Sequence, residues 1–197
     1  MYDYKLQKIN KIPCIISENN NIFTCTILVL VKVGSRYENK GEYGMAHFLE
    51  HMLFKGTEKR PSAKHITNEL DSIGAQFNAF TGKNMTGYYI KTSNEHFETA
   101  CDVLSDMIFN SVLDEEEMKK EKNVVIEELR KDKENPSSHV SDLCYNQIFP
   151  NTQLGKSTGG EEKDVIGYKK STLTKFYNKY YNPDNIVIAI SGNIPND

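Results

Sequence analysis

The sequence lacks any apolar run long enough to cross a membrane; its longest, residues 26–31, has only the length of a strand. Its first residues have neither the apolar centre of a signal peptide nor the Arg-rich, acid-poor character of a transit peptide. The default expectation is a cytoplasmic protein without membrane contact, an organelle staying open if a leader has been removed. An excess of charge of one sign is also missing. There are 24 Lys and Arg against 27 Asp and Glu, a net charge of −3, and no basic stripe gives a nucleic acid its electrostatic footprint. The four cysteines, Cys14, Cys25, Cys101 and Cys144, include no CxxC pair, which argues against a disulfide framework and against a cysteine zinc ribbon. They are expected to be small buried side chains in a reducing compartment. No internal repeat, low-complexity linker or second composition regime divides the chain, so residues 1–197 are read as one domain.

What is present suits a globular protein. A chain of 197 residues, 38% hydrophobic and 26% charged, can bury a substantial core. Strands are expected at residues 4–8, 11–17 and 22–33, with a turn at Glu18-Asn19-Asn20-Asn21. A helix is expected over 43–54 and another over 62–73, capped by Ser62 and periodic through Ile66, Leu70 and Ile73. Two strands, 75–81 and 86–92, flank Gly82-Lys83-Asn84 as a hairpin. A helix capped by Ser93 or Asn94 follows. Then comes a long helix from Asp114 to about residue 133, with acids in the first turn where the helix dipole favours them. Helices at 137–148 and 171–181 and a strand at 185–191 complete the chain. This order predicts an α+β fold, a mostly antiparallel sheet with helices packed on one face.

Chemistry concentrates in His47-Phe48-Leu49-Glu50-His51. Histidines four apart on a helix share a face and can converge on one ion. Glu50 lies beside them, within reach of a zinc-bound water without ligating the metal. HxxEH is the inverted form of the HExxH zinc-peptidase motif. Two imidazoles and a carboxylate would leave a fourth zinc position open for water, whose proton a neighbouring carboxylate can take and later deliver to a leaving amine. Acids and histidines on a helix are most often a solvated face. Here Phe48, Leu49, Met52 and Leu53 surround them with apolar residues, which implies a partly buried helix where unpaired His and Glu would be costly.

A third ligand must come from elsewhere, and the long acidic helix offers Glu121, Glu127 and Glu128. Glu121, Val125 and Glu128 fall along one face, with Met118, Val124, Ile126 and Leu129 as apolar neighbours. Glu128 could point inward with Glu121 supporting it from two turns back. On residue spacing alone, a surface role for all three acids stays open. His65, His96 and His139 are read as ordinary surface or helix residues, and Tyr88 and Tyr89 as sheet packing.

The chain resembles the inverzincin metallopeptidases, the family of pitrilysin, insulin-degrading enzyme and the mitochondrial processing peptidase. Gly34-Ser35-Arg36-Tyr37-Glu38 is similar to the segment before that family's motif helix, and residues 44–57 match its signature. Asn78-Ala79-Phe80-Thr81 resembles its hairpin beside the active site. Leu154-Gly155, residues 180–185 and Ser191-Gly192-Asn193 are similar to its later landmarks. The resemblance implies zinc ligands at His47, His51 and Glu128, one Zn2+ per chain, a catalytic base at Glu50 and a supporting acid at Glu121, with Glu127 in reserve. It implies an endopeptidase that binds a peptide as an added strand along Asn78, Ala79 and Phe80. It also implies a second, similarly folded domain, in the same chain or in a homo- or hetero-oligomeric partner, closing a chamber around the substrate; this chain ends where that domain would begin. Two other readings compete. One is a non-catalytic scaffold of the same fold. The other is an HxxEH zinc lyase acting on a small molecule, with Cys101 or Cys144 as third ligand.

Overall fold

The computed structural model describes residues 4–195. Six strands, β1 (Lys5–Ile9), β2 (Ile12–Glu18), β3 (Thr24–Val31), β4 (Gln76–Thr81), β5 (Thr86–Ser93) and β6 (Ile186–Gly192), form one sheet in the order β1-β2-β6-β3-β5-β4. Every neighbouring pair is antiparallel except β2 with β6. Seven helices accompany the described sheet: α1 (Met45–Leu53), α2 (Ala63–Ser72), α3 (Phe97–Phe109), α4 (Glu115–Glu134), α5 (Pro136–Ile148), α6 (Glu162–Gly167) and α7 (Lys170–Tyr180). The expected α+β fold with a mostly antiparallel sheet is what forms. None of the helices is long and apolar enough to cross a membrane.

Alternation along β3 explains the layering. Cys25, Ile27, Val29 and Val31 are buried while the residues between them are not, so one face of the sheet carries the core. Against it lie Phe48, Leu49, Met52 and Leu53 of α1 and Val103, Leu104, Met107 and Ile108 of α3, all at most 2% exposed. The motif helix is thus apolar wherever it is not chemical.

Several expectations are corrected. Residues 162–167 form α6, a helix without a periodic stripe, started by a capping box between Glu161 and Asp164. Ser62 stands at the N-cap of α2 but caps no backbone group; its hydroxyl pairs with His65 Nδ1 at 2.8 Å. Ser93 precedes a short 3-10 turn, Asn94–His96, and α3 starts only after it, so neither Ser93 nor Asn94 caps α3. Asp114, read only as one of the acids opening the helix, is the N-cap of α4, accepting from the backbone N–H of Glu116 and Glu117. Cys14 and Cys25 are buried, but Cys101 is only partly so and Cys144 is exposed, because no residue of α5 is buried. Val124 is 52% exposed, since the buried stripe of α4 runs through Met118, Glu121, Val125 and Leu129 instead.

Candidate metal centre

The packing of α1 against α4 brings three donors together. His47 and His51, one turn apart on α1, hold their Nε2 atoms 3.2 Å from each other. Glu128 of α4 places one carboxylate oxygen 3.6 Å from His47 Nε2 and the other 3.3 Å from His51 Nε2. Among the described residues, these three form the one group of His, Cys, Asp or Glu side chains able to share an ion. Glu127 points away and pairs with Arg130. Neither Cys101 nor Cys144 joins the group, which removes the donor that the lyase reading requires.

The donor set fits zinc. An ion ~2.1 Å from each of two tetrahedral ligands sets them about 3.4 Å apart, close to the 3.2 Å between the two Nε2 atoms, and each Nε2 has a different Glu128 oxygen at a similar separation. The chemistry agrees with the distances. His51 Nδ1 lies 2.8 Å from Glu121 Oε1 and donates to that carboxylate, which leaves the Nε2 lone pair aimed at His47 and Glu128. Were both imidazoles neutral with Nε2 unprotonated, these lone pairs would repel at 3.2 Å unless a cation, a proton or a metal ion, lay between them. His47 Nδ1 is buried without a hydrogen-bond partner among the described residues. It faces Gly159, where an added Cβ would lie 3.5 Å from it and 2.5 Å from Leu129 Cδ2.

Charge is balanced tightly here. Burial opposes the His51 imidazolium, but hydrogen bonds to Glu121 and Glu128 outweigh it and push its pKa up to about 9. The bonds from His47 and His51 hold the Glu128 carboxyl well below the usual carboxylate range. Glu121 is 4% exposed; burial raises its pKa, yet its partners His51 and Lys55 bring the net shift downward. Lys55 Nζ donates to Glu121 Oε2 at 2.5 Å.

Glu50 projects beside the group and does not belong to it. Its Oε2 accepts from the Thr81 hydroxyl at 2.5 Å, a bond that ties α1 to the end of β4. β4 is one of the two edge strands of the sheet, so its far side has no strand partner among the described residues. Asn78 and Phe80 on it are exposed and Ala79 is half-buried; the Asn78 side chain accepts from Ala79 N–H at 2.9 Å. Beyond His47 and Thr81 opens a polar cavity of ≈ 430 Å³, also lined by Ser137, Ser138, Ser141 and Asp142. Tyr88 is fully buried, its hydroxyl 2.7 Å from that of Tyr181, in keeping with a packing role.

The helix itself is seated by two devices. Gly44 starts α1 in the left-handed region at φ +79°, and a side chain there would strike the Gly159 carbonyl. Gly44 supplies no cap, so the buried Glu38 does: its carboxyl accepts from the N–H of Gly44 at 2.8 Å and of Ala46 at 2.9 Å. Burial pushes the Glu38 pKa up to about 8 despite those bonds. Sequence reasoning assigned no role to Glu38, Lys55 or Thr81. Glu38 lay within a segment singled out only by resemblance, and Lys55 sits four positions after His51, the spacing that stacks side chains on one helix face.

A pair of helix-borne histidines, a carboxylate from a second helix and an adjacent unligated glutamate, set against a sheet edge, define the HxxEH class of zinc-binding peptidase folds. The chain belongs to the insulinase family, peptidase family M16, whose family model matches residues 14–162. An uncharacterized zinc protease of Rickettsia bellii is 42% identical over 171 residues, covering 87% of this chain and 41% of the relative. The human mitochondrial-processing peptidase subunit beta is 35% identical over 181 residues, covering 92% of this chain and 37% of that protein. Among solved structures, a protease from Helicobacter pylori superposes with a TM-score of 0.92 at 26% identity, covering 98% of this chain and 47% of that one. Pitrilysin superposes with a TM-score of 0.88 at 25% identity, covering 98% of this chain and 21% of its own. The chain therefore spans less than half the length of these relatives.

Proposed function

We propose that this chain is the zinc-bearing domain of an endopeptidase that hydrolyses peptides or unfolded segments. One observation carries the reading: a three-donor group that fits zinc, with Glu50 beside it and outside it, at the end of an edge strand. In this reading His47, His51 and Glu128 hold the ion, which when bound supplies Lewis acidity to the water and the scissile carbonyl. Glu50 takes the proton of the attacking water at its carboxylate and returns it to the leaving amine. Thr81, bonded to Glu50 Oε2, leaves Oε1 available for that transfer. Glu121 fixes His51 in the tautomer that presents Nε2.

The peptide lies as an added strand along Asn78, Ala79 and Phe80, held by main-chain hydrogen bonds to β4. Asn78, exposed on that strand, contributes a further bond to the peptide backbone. Residues 1–197 act as one zinc-bearing domain in this reading. Because the relatives are more than twice as long, a second domain or a homo- or hetero-oligomeric partner completes the substrate chamber.

Elemental analysis of the wild type and of Glu128→Gln, paired with cleavage of a quenched fluorescent peptide mixture, tests this. The reading expects one zinc per wild-type chain, lost in the variant, and cleavage that a chelator abolishes. Zinc without cleavage would leave the metal centre standing and make the partner essential. A wild type that takes up no zinc would leave only the scaffold reading.

A further inference from the structure

The metal-facing side of α1 continues one turn past the motif. Lys55 lies four residues after His51, just beyond the last residue of α1, and its backbone N–H still bonds to Met52 O at 3.1 Å. Its side chain, 23% exposed, turns back to Glu121, whose two carboxylate oxygens are divided between two donors. Oε1 takes the N–H of His51 at 2.8 Å and Oε2 takes the ammonium of Lys55 at 2.5 Å. Glu121 has a side-chain exposure of 5%. A carboxylate that deep needs both a counter-charge and saturated oxygens, because a buried charge with neither is strongly destabilising.

We propose that Lys55 is a positioning residue for the zinc centre, acting through Glu121 to fix the orientation and tautomer of His51. The inference rests on the metal reading above. The chain of contacts is Lys55 to Glu121 to His51, with the His51 Nε2 lone pair at its end. Removing the ammonium frees Glu121 Oε2, lets the carboxylate rotate and loosens its hold on the His51 N–H. The ion would feel this although Lys55 never touches it, since partners of metal-binding histidines typically alter affinity by about 10–100-fold. The plainer role for this lysine is a cation near the C-terminal end of a helix, where it would favour the dipole and do nothing else.

A coupled set of zinc affinities separates the two. Lys55→Met keeps the unbranched apolar stem and removes the charge, whereas Lys55→Arg keeps the charge. Zinc affinity is read by competition with a chromophoric chelator for the wild type, both variants, Glu121→Gln and the double Lys55→Met/Glu121→Gln. The metal-free melting temperature of each is measured alongside. Lys55→Met is expected to bind zinc about tenfold more weakly and Lys55→Arg within about twofold of wild type. In the Glu121→Gln background the same Lys55→Met change is expected to cost less than about twofold, because the contact it acts through is already gone. Wild-type affinity in Lys55→Met, or losses that simply multiply in the double variant, would overturn the inference while leaving the zinc site intact. A helix-dipole role alone would lower the metal-free melting temperature without any coupling to Glu121. A wild type that binds no zinc overturns the metal reading, and the inference falls with it.

Discussion

Helices α4 and α5 follow one another in the chain and flank the same cleft, yet they are built in opposite ways. α4 buries Met118, Glu121, Val125 and Leu129 along one stripe, and that stripe sets Glu121 and Glu128 against the histidines of α1. α5 buries nothing; Val140, Leu143 and Ile148 are each at least 55% exposed, while Ser137, Ser138, Ser141 and Asp142 line the cavity beside His47. A metal centre tolerates little positional error, so its ligands sit on helices locked by packing. A helix that carries none of these donors has no such need, and few buried contacts leave it cheaper to open. The difference suggests a division of labour, with α1 and α4 providing the chemistry and α5 an adaptable boundary.

The sharpest way to isolate the chemical side is Glu50→Gln. Glu50 lies outside the donor group, so zinc content is expected to be unchanged while kcat for peptide cleavage falls by about 10²–10⁴, the usual contribution of a general base. Loss of zinc together with activity would mean that base and ligands cannot be separated, and the division drawn above would fail at its centre.

Packing is the next contrast. Leu129 is 5% exposed and its Cδ2 lies against Gly159, so Leu129→Ala opens a cavity beneath the metal site. Urea denaturation should report a loss of about 2–4 kcal/mol. A loss under about 1 kcal/mol would show that α4 is no better fixed than α5.

How much of this was legible in the sequence divides along the same line. The motif helix could be read because its chemical and apolar residues alternate at helical spacing within a few positions, and β4 and β5 because a Gly-containing turn separates two apolar runs. Glu128 could not be chosen by spacing alone, since Glu127 and Glu121 share its acidic helix; resemblance selected it, and the geometry groups it with the histidines. The contacts of Thr81 with Glu50 and of Lys55 with Glu121 were beyond reach because each joins separate elements, the first across 31 positions. α6 is six residues long, too short for a periodic signal, and is held by a capping box whose acids read as surface charge. The expectation of a buried Cys144 failed because α5 has a helical sequence but no neighbour among the described residues covering its apolar side.

Smaller and pH-dependent is the effect at Glu38, which seats α1. Burial raises its carboxyl pKa from 4.5 to about 8 in the folded protein, Glu42 adds to the rise, and the bonds from Ala46 and Gly44 and the nearby Lys83 oppose it. A folded pKa above the unfolded one means that the stabilising contribution is complete below about pH 4.5 and is lost as pH rises through about 8. Relative to Glu38→Gln, the wild type should therefore lose on the order of 2 kcal/mol between pH 6 and 7.5, read from chemical denaturation at each pH. Parallel stability curves for the two proteins would show that the N–H groups of α1 keep this carboxylate charged throughout.

The least effect is expected on the open side. Leu143 is 55% exposed, so truncating it removes little from contact and leaves no cavity. Leu143→Ala should change stability by no more than about 0.5 kcal/mol, against several times that for Leu129→Ala on the neighbouring helix. Because the same side-chain change is made on consecutive helices, the difference between the two losses measures the contrast directly. Near-equal losses would mean that α5 is held as firmly as α4, and an adaptable wall would no longer explain why its apolar side is left bare. A large loss for Leu129→Ala with almost none for Leu143→Ala would support a scaffold whose rigidity is concentrated where the ligands are.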